Sequence, residues 1–95
     1  MAAYLIVDIE VTDPAGFEPY RLGVSDTIAA FGGRYLVRGA EARVLEGDWQ
    51  PNRSVVLEFP TMEALNAWWD SPVYQPLREL RRRTSRASVI AVEGA

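Results

Sequence analysis

Cysteine, histidine and lysine do not occur in this chain. The lack of Cys excludes disulfides, thiolate metal sites and a Cys nucleophile. The lack of His removes the commonest general base, the commonest metal ligand and a haem axial ligand. With no Lys, Schiff-base chemistry through a side-chain amine is excluded as well, and all ten basic residues are Arg. Long apolar runs are missing too, since none approaches the roughly 18 residues that cross a bilayer. Met1 to Asp8 carries neither the basic start nor the cleavage site of a signal peptide, so a cytoplasmic protein is expected. Acids exceed bases by 13 to 10, for a net charge of -3 and a pI near 4.9. That balance argues against nucleic acid or a membrane surface as the main partner. One stretch runs the other way: Arg78, Arg81, Arg82, Arg83 and Arg86 accompany a single acid, Glu79. A solvated helix end accounts for them, because cations complement a helix C-terminus; an anion-binding patch is the alternative.

What is present builds one domain. The 95 residues, 48% hydrophobic and 24% charged, match an ordinary globular protein with a single core. Gly32 to Pro60 forms its centre, where two runs rich in Val, Leu, Tyr and Phe flank the turn-prone segment Gly47-Asp48-Trp49-Gln50-Pro51-Asn52. That is the signature of a long hairpin. Gly39-Ala40 interrupts the first arm, as a bulge would. Glu41 to Glu46 is then expected to leave the sheet or reach a partner.

Before the hairpin, Tyr4 to Val11 alternates Leu5, Val7, Ile9 and Val11 with Tyr4, Ile6, Asp8 and Glu10, as a strand does. Asp13-Pro14 then opens a helix as N-cap and first residue. Its stripe of Phe17, Tyr20, Val24, Ile28 and Phe31 carries it to Gly32-Gly33, with a kink or break expected at Pro19. After the hairpin, Thr61 caps a helix from Met62 to about Asp70. Ser71-Pro72 is read as the cap and start of another helix, with Tyr74, Leu77 and Leu80 as its stripe. Ser88 to Glu93 is the last strand.

Strand, helix, strand, strand, helix, strand is the ferredoxin-like order: an α+β fold, one domain over 1–95, with helices on one face of a four-stranded antiparallel sheet. The other face is expected to carry Ile6, Leu36, Val56 and Val89. An uncovered apolar sheet face is an interface, and two copies meeting sheet to sheet would bury it.

Several spaced motifs resemble one family. They are Asp13-Pro14 with Phe17 and Tyr20, then Gly32 to Gly39, Leu45-Glu46-Gly47-Asp48-Trp49, Arg53 to Pro60, and Trp68-Trp69-Asp70-Ser71-Pro72-Val73-Tyr74. The family is domain of unknown function 1330, in the dimeric alpha-beta barrel superfamily. The resemblance spans nearly the whole chain and implies a homodimeric barrel, with no established activity. Relatives in the superfamily include cofactor-free monooxygenases, lactone isomerases, haem-degrading enzymes and stress-response barrels. Haem degradation there relies on a His ligand, which this chain lacks. Trp69 stands where the family pattern leads one to expect Tyr.

Two groups of residues are candidate sites. Asp8, Arg38 and Glu58, taken to lie opposite Val7, Val37 and Leu57, are expected to converge on the barrel side of the sheet. They would act either as a proton shuttle with an anion-holding Arg or as a structural ion-pair network, the latter being favoured. Tyr20, Trp68, Trp69, Ser71 and Tyr74 form the second group, an apolar cleft with a few polar groups. Core packing for the aromatics and helix capping for Ser71 are the competing roles. Tyr20 and Tyr74 are also candidates for acid-base work beside Asp8, Arg38 and Glu58. No acid spacing fits a metal and no loop fits a phosphate, so no cofactor and no metal are expected. A homodimer binding or converting a small organic molecule is the leading reading, isomerase- or monooxygenase-like by resemblance. A non-catalytic scaffold or stress protein is the alternative.

Overall fold

A computed structural model describes residues 1–95. β1 (Ala3–Val11) leads through α1 (Pro14–Ala30) to β2 (Arg34–Glu41) and β3 (Arg53–Phe59). Two short helices follow, α2 (Met62–Trp69) and α3 (Gln75–Thr84), before β4 (Ser85–Glu93). The strands form one antiparallel sheet in the order β2-β3-β1-β4. This is the ferredoxin-like arrangement. The Cα envelope is only 16 Å thick in its thin direction, which leaves room for one sheet and one helical layer, so the second sheet face is uncovered.

Local chemistry sets the element ends. Asp13 accepts from the Gly16 amide at 3.1 Å, and Pro14 occupies the first turn, where its missing N–H costs nothing. No break occurs at Pro19, since α1 runs as one helix through it. It ends where Gly32, at φ 79°, turns the chain so that the Gly33 amide reaches back to the Ile28 carbonyl at 3.0 Å. Gly33 is required for space: a Cβ there would lie 2.6 Å from the Phe59 ring and 2.7 Å from Ile28. Thr61 caps α2 by accepting from the Ala64 amide at 3.0 Å.

Ser71 does not open a helix. Its hydroxyl donates to the Trp68 carbonyl at 2.8 Å and accepts from the Tyr74 amide at 3.2 Å, holding a turn that delays α3 to Gln75. β4 starts at Ser85, three residues ahead of the expected strand, and follows α3 directly.

The core lies between the sheet and the helices. Leu5, Val7 and Ile9 from β1 and Leu57 and Phe59 from β3 meet Val24, Ile28, Leu65, Trp68 and Tyr74. Trp68 is 1% exposed, with its ring centroid 4.0 Å from that of Tyr74 and 5.3 Å from that of Phe59. Its indole N–H donates to Thr27 at 3.0 Å, which satisfies the polar end of a buried aromatic.

β2 departs from the expected alternation. Tyr35 is opposite Leu57, but the next paired residue is Val37, opposite Val56, and Leu36 is bulged out between them. Arg38 then falls opposite Val55, a core-side residue. The bulge therefore puts Val37 on the uncovered face and Arg38 on the helix face, the reverse of the expected assignment. A second irregularity follows at Gly39, which has φ 74°. Beyond Glu41, residues 42–52 leave the sheet, exposing Leu45 and Trp49.

Val89 also changes sides. It is opposite Val7 and packs against the core, so Ile90, opposite Ile6, takes its place on the uncovered face. There Val37, Val56, Ile6 and Ile90 form one apolar row across all four strands.

Candidate functional site

The sheet and helices do not close completely on one another. Between them lies a cleft of about 360 Å³, within the range of small-molecule sites. Its floor is the helix-facing side of the sheet, with Leu5, Val7 and Leu57, and α1 contributes Val24 and Tyr20. Trp68, Trp69 and Tyr74 close one end because the Ser71 turn folds the start of α3 back over the end of α2. A cavity of about 150 Å³ holds benzene, so this volume suits a molecule of one or two rings.

The polar groups are few and cluster by type. The Tyr20 and Tyr74 hydroxyls are hydrogen-bonded at 3.0 Å, one donating to the other. Burial, reinforced by the Tyr74 hydroxyl, pushes the Tyr20 phenol far above the ordinary value of 10.0. Burial also raises Tyr35, against the lowering influence of Ser25 and Arg38. Neither phenol can serve as a base near neutrality. Arg21, Arg38, Arg53 and Arg81 line the cleft, with no Asp or Glu among the lining residues.

Three of these guanidinium groups have partners in the protein. Arg21 pairs with Glu18. Arg53 lies 3.8 Å from Glu41, with both side chains exposed. Arg38 donates to Ser25 at 2.9 Å and stacks over the Tyr35 ring at 4.4 Å. Arg81 is different. It is only 6% exposed, with its guanidinium 6.0 Å from the centre of the Trp69 ring and no hydrogen bond or ion pair to the side chain. Trp69, at the position where Tyr was expected, is a platform for two cations: Arg78 lies 5.0 Å from its ring centre and also donates to its carbonyl at 2.8 Å.

Tyr20, Trp68, Trp69 and Tyr74 all line the cleft, as does Arg38. Ser71 does not, since its hydroxyl is fully used in the local turn. Asp8 and Glu58 lie on the uncovered face and do not converge with Arg38, because the Leu36 bulge carries Arg38 to the other side. Nor do the two acids meet. Asp8 is opposite Ser54 while Glu58 is opposite Tyr4, a separation along the strands of about 13 Å at ~3.3 Å per residue.

Each acid has a structural partner. Asp8 accepts from the Asn52 amide at 2.7 Å, fixing the return of the hairpin loop. Glu58 receives Arg34 at 2.7 Å, and that guanidinium, helped by the Tyr4 hydroxyl, holds its carboxyl below the usual range. Glu58 in turn raises the Tyr4 phenol, through a hydrogen bond first and its charge second. No group of three or more acids comes together to hold a metal ion.

Tyr35, Arg21 and Arg53 are lining residues that the sequence reading missed, and Arg81 was offered only within the alternative of an anion-binding patch. For Arg81 a signal existed: it follows Leu77 by four residues and Tyr74 by seven, on the buried stripe of α3.

The raised phenols lead to a pH prediction. A phenol whose folded value is raised gives stability that is intact below the unfolded value of 10.0 and is lost as pH climbs through the folded one. Tyr20 and Tyr35 should therefore resist ionisation until the protein unfolds. The tyrosinate absorbance of these two is expected to rise together with the loss of far-UV circular dichroism above about pH 10. Full tyrosine ionisation in a still-folded protein would contradict it.

The model for the family described as Domain of unknown function (DUF1330) matches residues 2–95. The chain belongs to the DUF1330 family. No curated protein matches it. Solved structures share its fold at low identity. A protein of unknown function from Rhodopseudomonas palustris, RPA0582, is 14% identical with a TM-score of 0.78, over 99% of this chain and 82% of that one. A dimeric ferredoxin-like protein of unknown function from Jannaschia sp. CCS1 is 16% identical with a TM-score of 0.72, over 99% of this DUF1330 chain and all of its own. SnoaB, a cofactor-independent oxygenase from Streptomyces nogalater, is 18% identical with a TM-score of 0.65, over 99% and 93% of the two chains. No helix of the DUF1330 chain is long and apolar enough to cross a membrane.

Proposed function

We propose that this protein is a homodimer whose subunits each bind a small ring-containing organic molecule in the cleft between sheet and helices. The observation that carries the proposal is the cleft itself, an aromatic-walled space of about 360 Å³ with a hydrogen-bonded tyrosine pair at its end. Apolar walls supply affinity and a few directed donors supply orientation, as in small-molecule sites generally. The apolar row on the other sheet face supports the dimer, as does the dimeric state in the name of the Jannaschia protein.

The chemistry follows from the donors. The Tyr20 phenol, raised by burial, stays protonated near pH 7; it can hold and polarise a carbonyl or enolate oxygen but cannot abstract a proton there. No carboxylate from the same chain reaches the cleft. Conversion would therefore depend on an acidic proton of the substrate itself, as in keto–enol isomerisation or in cofactor-free oxygenation of an enolate by dioxygen. The name of the Streptomyces nogalater oxygenase supports the latter.

A thermal-shift panel of aromatic and lactone compounds tests the binding. A ligand at about 100 times its Kd stabilises by roughly 2.7 kcal/mol, equivalent to about 10 °C or more in a domain of this size. No stabilisation by any compound class would overturn the proposal.

A further inference from the structure

We propose that the ligand of this cleft is an organic anion, a one- or two-ring carboxylate or enolate, whose charged group is received by Arg81 beside the Tyr20–Tyr74 pair. This deepens the cleft-binding reading and rests on it.

Three observations lead there. First, the whole chain carries a net charge of -3, yet the charged residues lining the cleft between sheet and helices are all Arg. An acidic protein that gathers only cations around an apolar space has a local potential opposite to its overall one. Second, Arg81 is more than nine-tenths buried without an acidic partner. Its guanidinium nitrogens make no hydrogen bond within the chain and none of them is sealed off, so they are open to receive a ligand's charged group. Arg78 on the same helix is held differently: its Nη1 donates to the Trp69 carbonyl at 2.8 Å, while its Nε is buried without a partner.

Third, the neighbours of Arg81 suit an oxyanion. Arg81 and Tyr20 both line the cleft, where the guanidinium charge is a minor lowering influence on a phenol raised chiefly by burial. A carboxylate held there would face a guanidinium fork and a phenol donor together, the arrangement that favours charge-assisted hydrogen bonds. The Arg81 guanidinium lies 6.0 Å from the Trp69 ring centre, at the outer limit of a cation–π contact. A second guanidinium, that of Arg38, lies toward the β2 side of the cleft over Tyr35, and it too has no carboxylate partner.

The elements packed around Arg81 supply no countercharge. α1 presents Tyr20 and Arg21, the latter already paired with Glu18; β4 presents Ser85, whose hydroxyl donates to the Arg81 carbonyl at 2.6 Å. α3 itself adds Arg82, which pairs with Glu79 at 2.9 Å. None of them neutralises Arg81.

The test compares matched pairs of ring acids and their carboxamides, for example 2-naphthoate and 2-naphthamide, by calorimetry and thermal shift at pH 7. The acids should bind at least about ten-fold more tightly than the amides, and Arg81→Gln should reduce that ratio to near one. The wild-type ratio stands by itself if Arg81→Gln fails to fold. Equal binding of acid and amide, or tighter binding of the amide, overturns the anion assignment and leaves the cleft reading in place. A ratio unchanged by Arg81→Gln overturns the role of Arg81. If neither series binds, the cleft reading falls and takes this inference with it.

Discussion

Trp68→Ala is expected to cost about 3–5 kcal/mol, the range for truncating a large buried aromatic. Trp68 is 1% exposed and touches Phe59, Tyr74 and Trp69, so the hole would open at the junction of α2, α3 and the sheet. The cost would come from the cavity rather than from an orphaned polar group. Thr27, which accepts from the indole, also donates to the Val24 carbonyl at 2.7 Å and would keep that bond. Against a total stability of roughly 5–15 kcal/mol for a small domain, such a loss leaves a marginal protein. At about 4–8 °C per kcal/mol, Tm should fall by well over 10 °C. Urea unfolding of the purified variant measures this directly. A loss below about 1 kcal/mol would mean that the junction is not packed as described.

Ile90→Arg is expected to separate the proposed dimer while leaving each subunit folded. Ile90 is 56% exposed in the protomer and sits in the row with Ile6, Val56 and Val37. Nothing in the protomer depends on its side chain, so subunit stability should change by less than about 0.5 kcal/mol. In a two-fold assembly the same substitution enters the interface twice. At roughly 2 kcal/mol for each anchor lost, the dimer would weaken by about 4 kcal/mol, near a thousand-fold. Analytical ultracentrifugation over a concentration series reads the change. A wild-type monomer, or a variant as dimeric as wild type, would show that this face is not the seam.

Much of the fold could be read from residues that act locally. Asp13-Pro14 and Thr61 name their helix starts through short-range hydrogen bonds, and Gly32-Gly33 names the end of α1 through backbone freedom. The alternation of Leu5, Val7 and Ile9 with Tyr4, Ile6 and Asp8 fixed β1 because only one of its faces is uniformly apolar. Tyr20, Trp68, Trp69 and Tyr74 were legible as a cluster for a similar reason: their helical spacing is set within a few turns.

The rest depends on contacts between distant segments. Leu36 bears no mark of a bulge, neither Gly nor Pro, and only its pairing with β3 reveals that it is skipped. In β4, Val89, Ile90 and Val92 offer apolar residues to both faces, so alternation alone does not say which side Val89 takes. Ser71 makes the hydrogen bonds of a helix cap, yet they stabilise a turn. Arg81 was hidden by its company. Arg82 and Arg83 are exposed, and five Arg in nine residues read as a solvated end, whereas the docking of α3 against Trp69 buries one of them.

The skipped residue at Leu36 works as a switch in parity. A strand sorts its side chains by odd and even position, and one uncounted residue inverts the sorting for everything after it until the irregularity at Gly39. With the count unbroken, Arg38 would carry its charge into the surface where two subunits are proposed to meet, and Val37 would fill the cleft. The insertion exchanges the two destinations without changing a side chain. When DUF1330 sequences are compared column by column, the residue aligned with Arg38 therefore has a destination only once the pairing of the two hairpin arms is known.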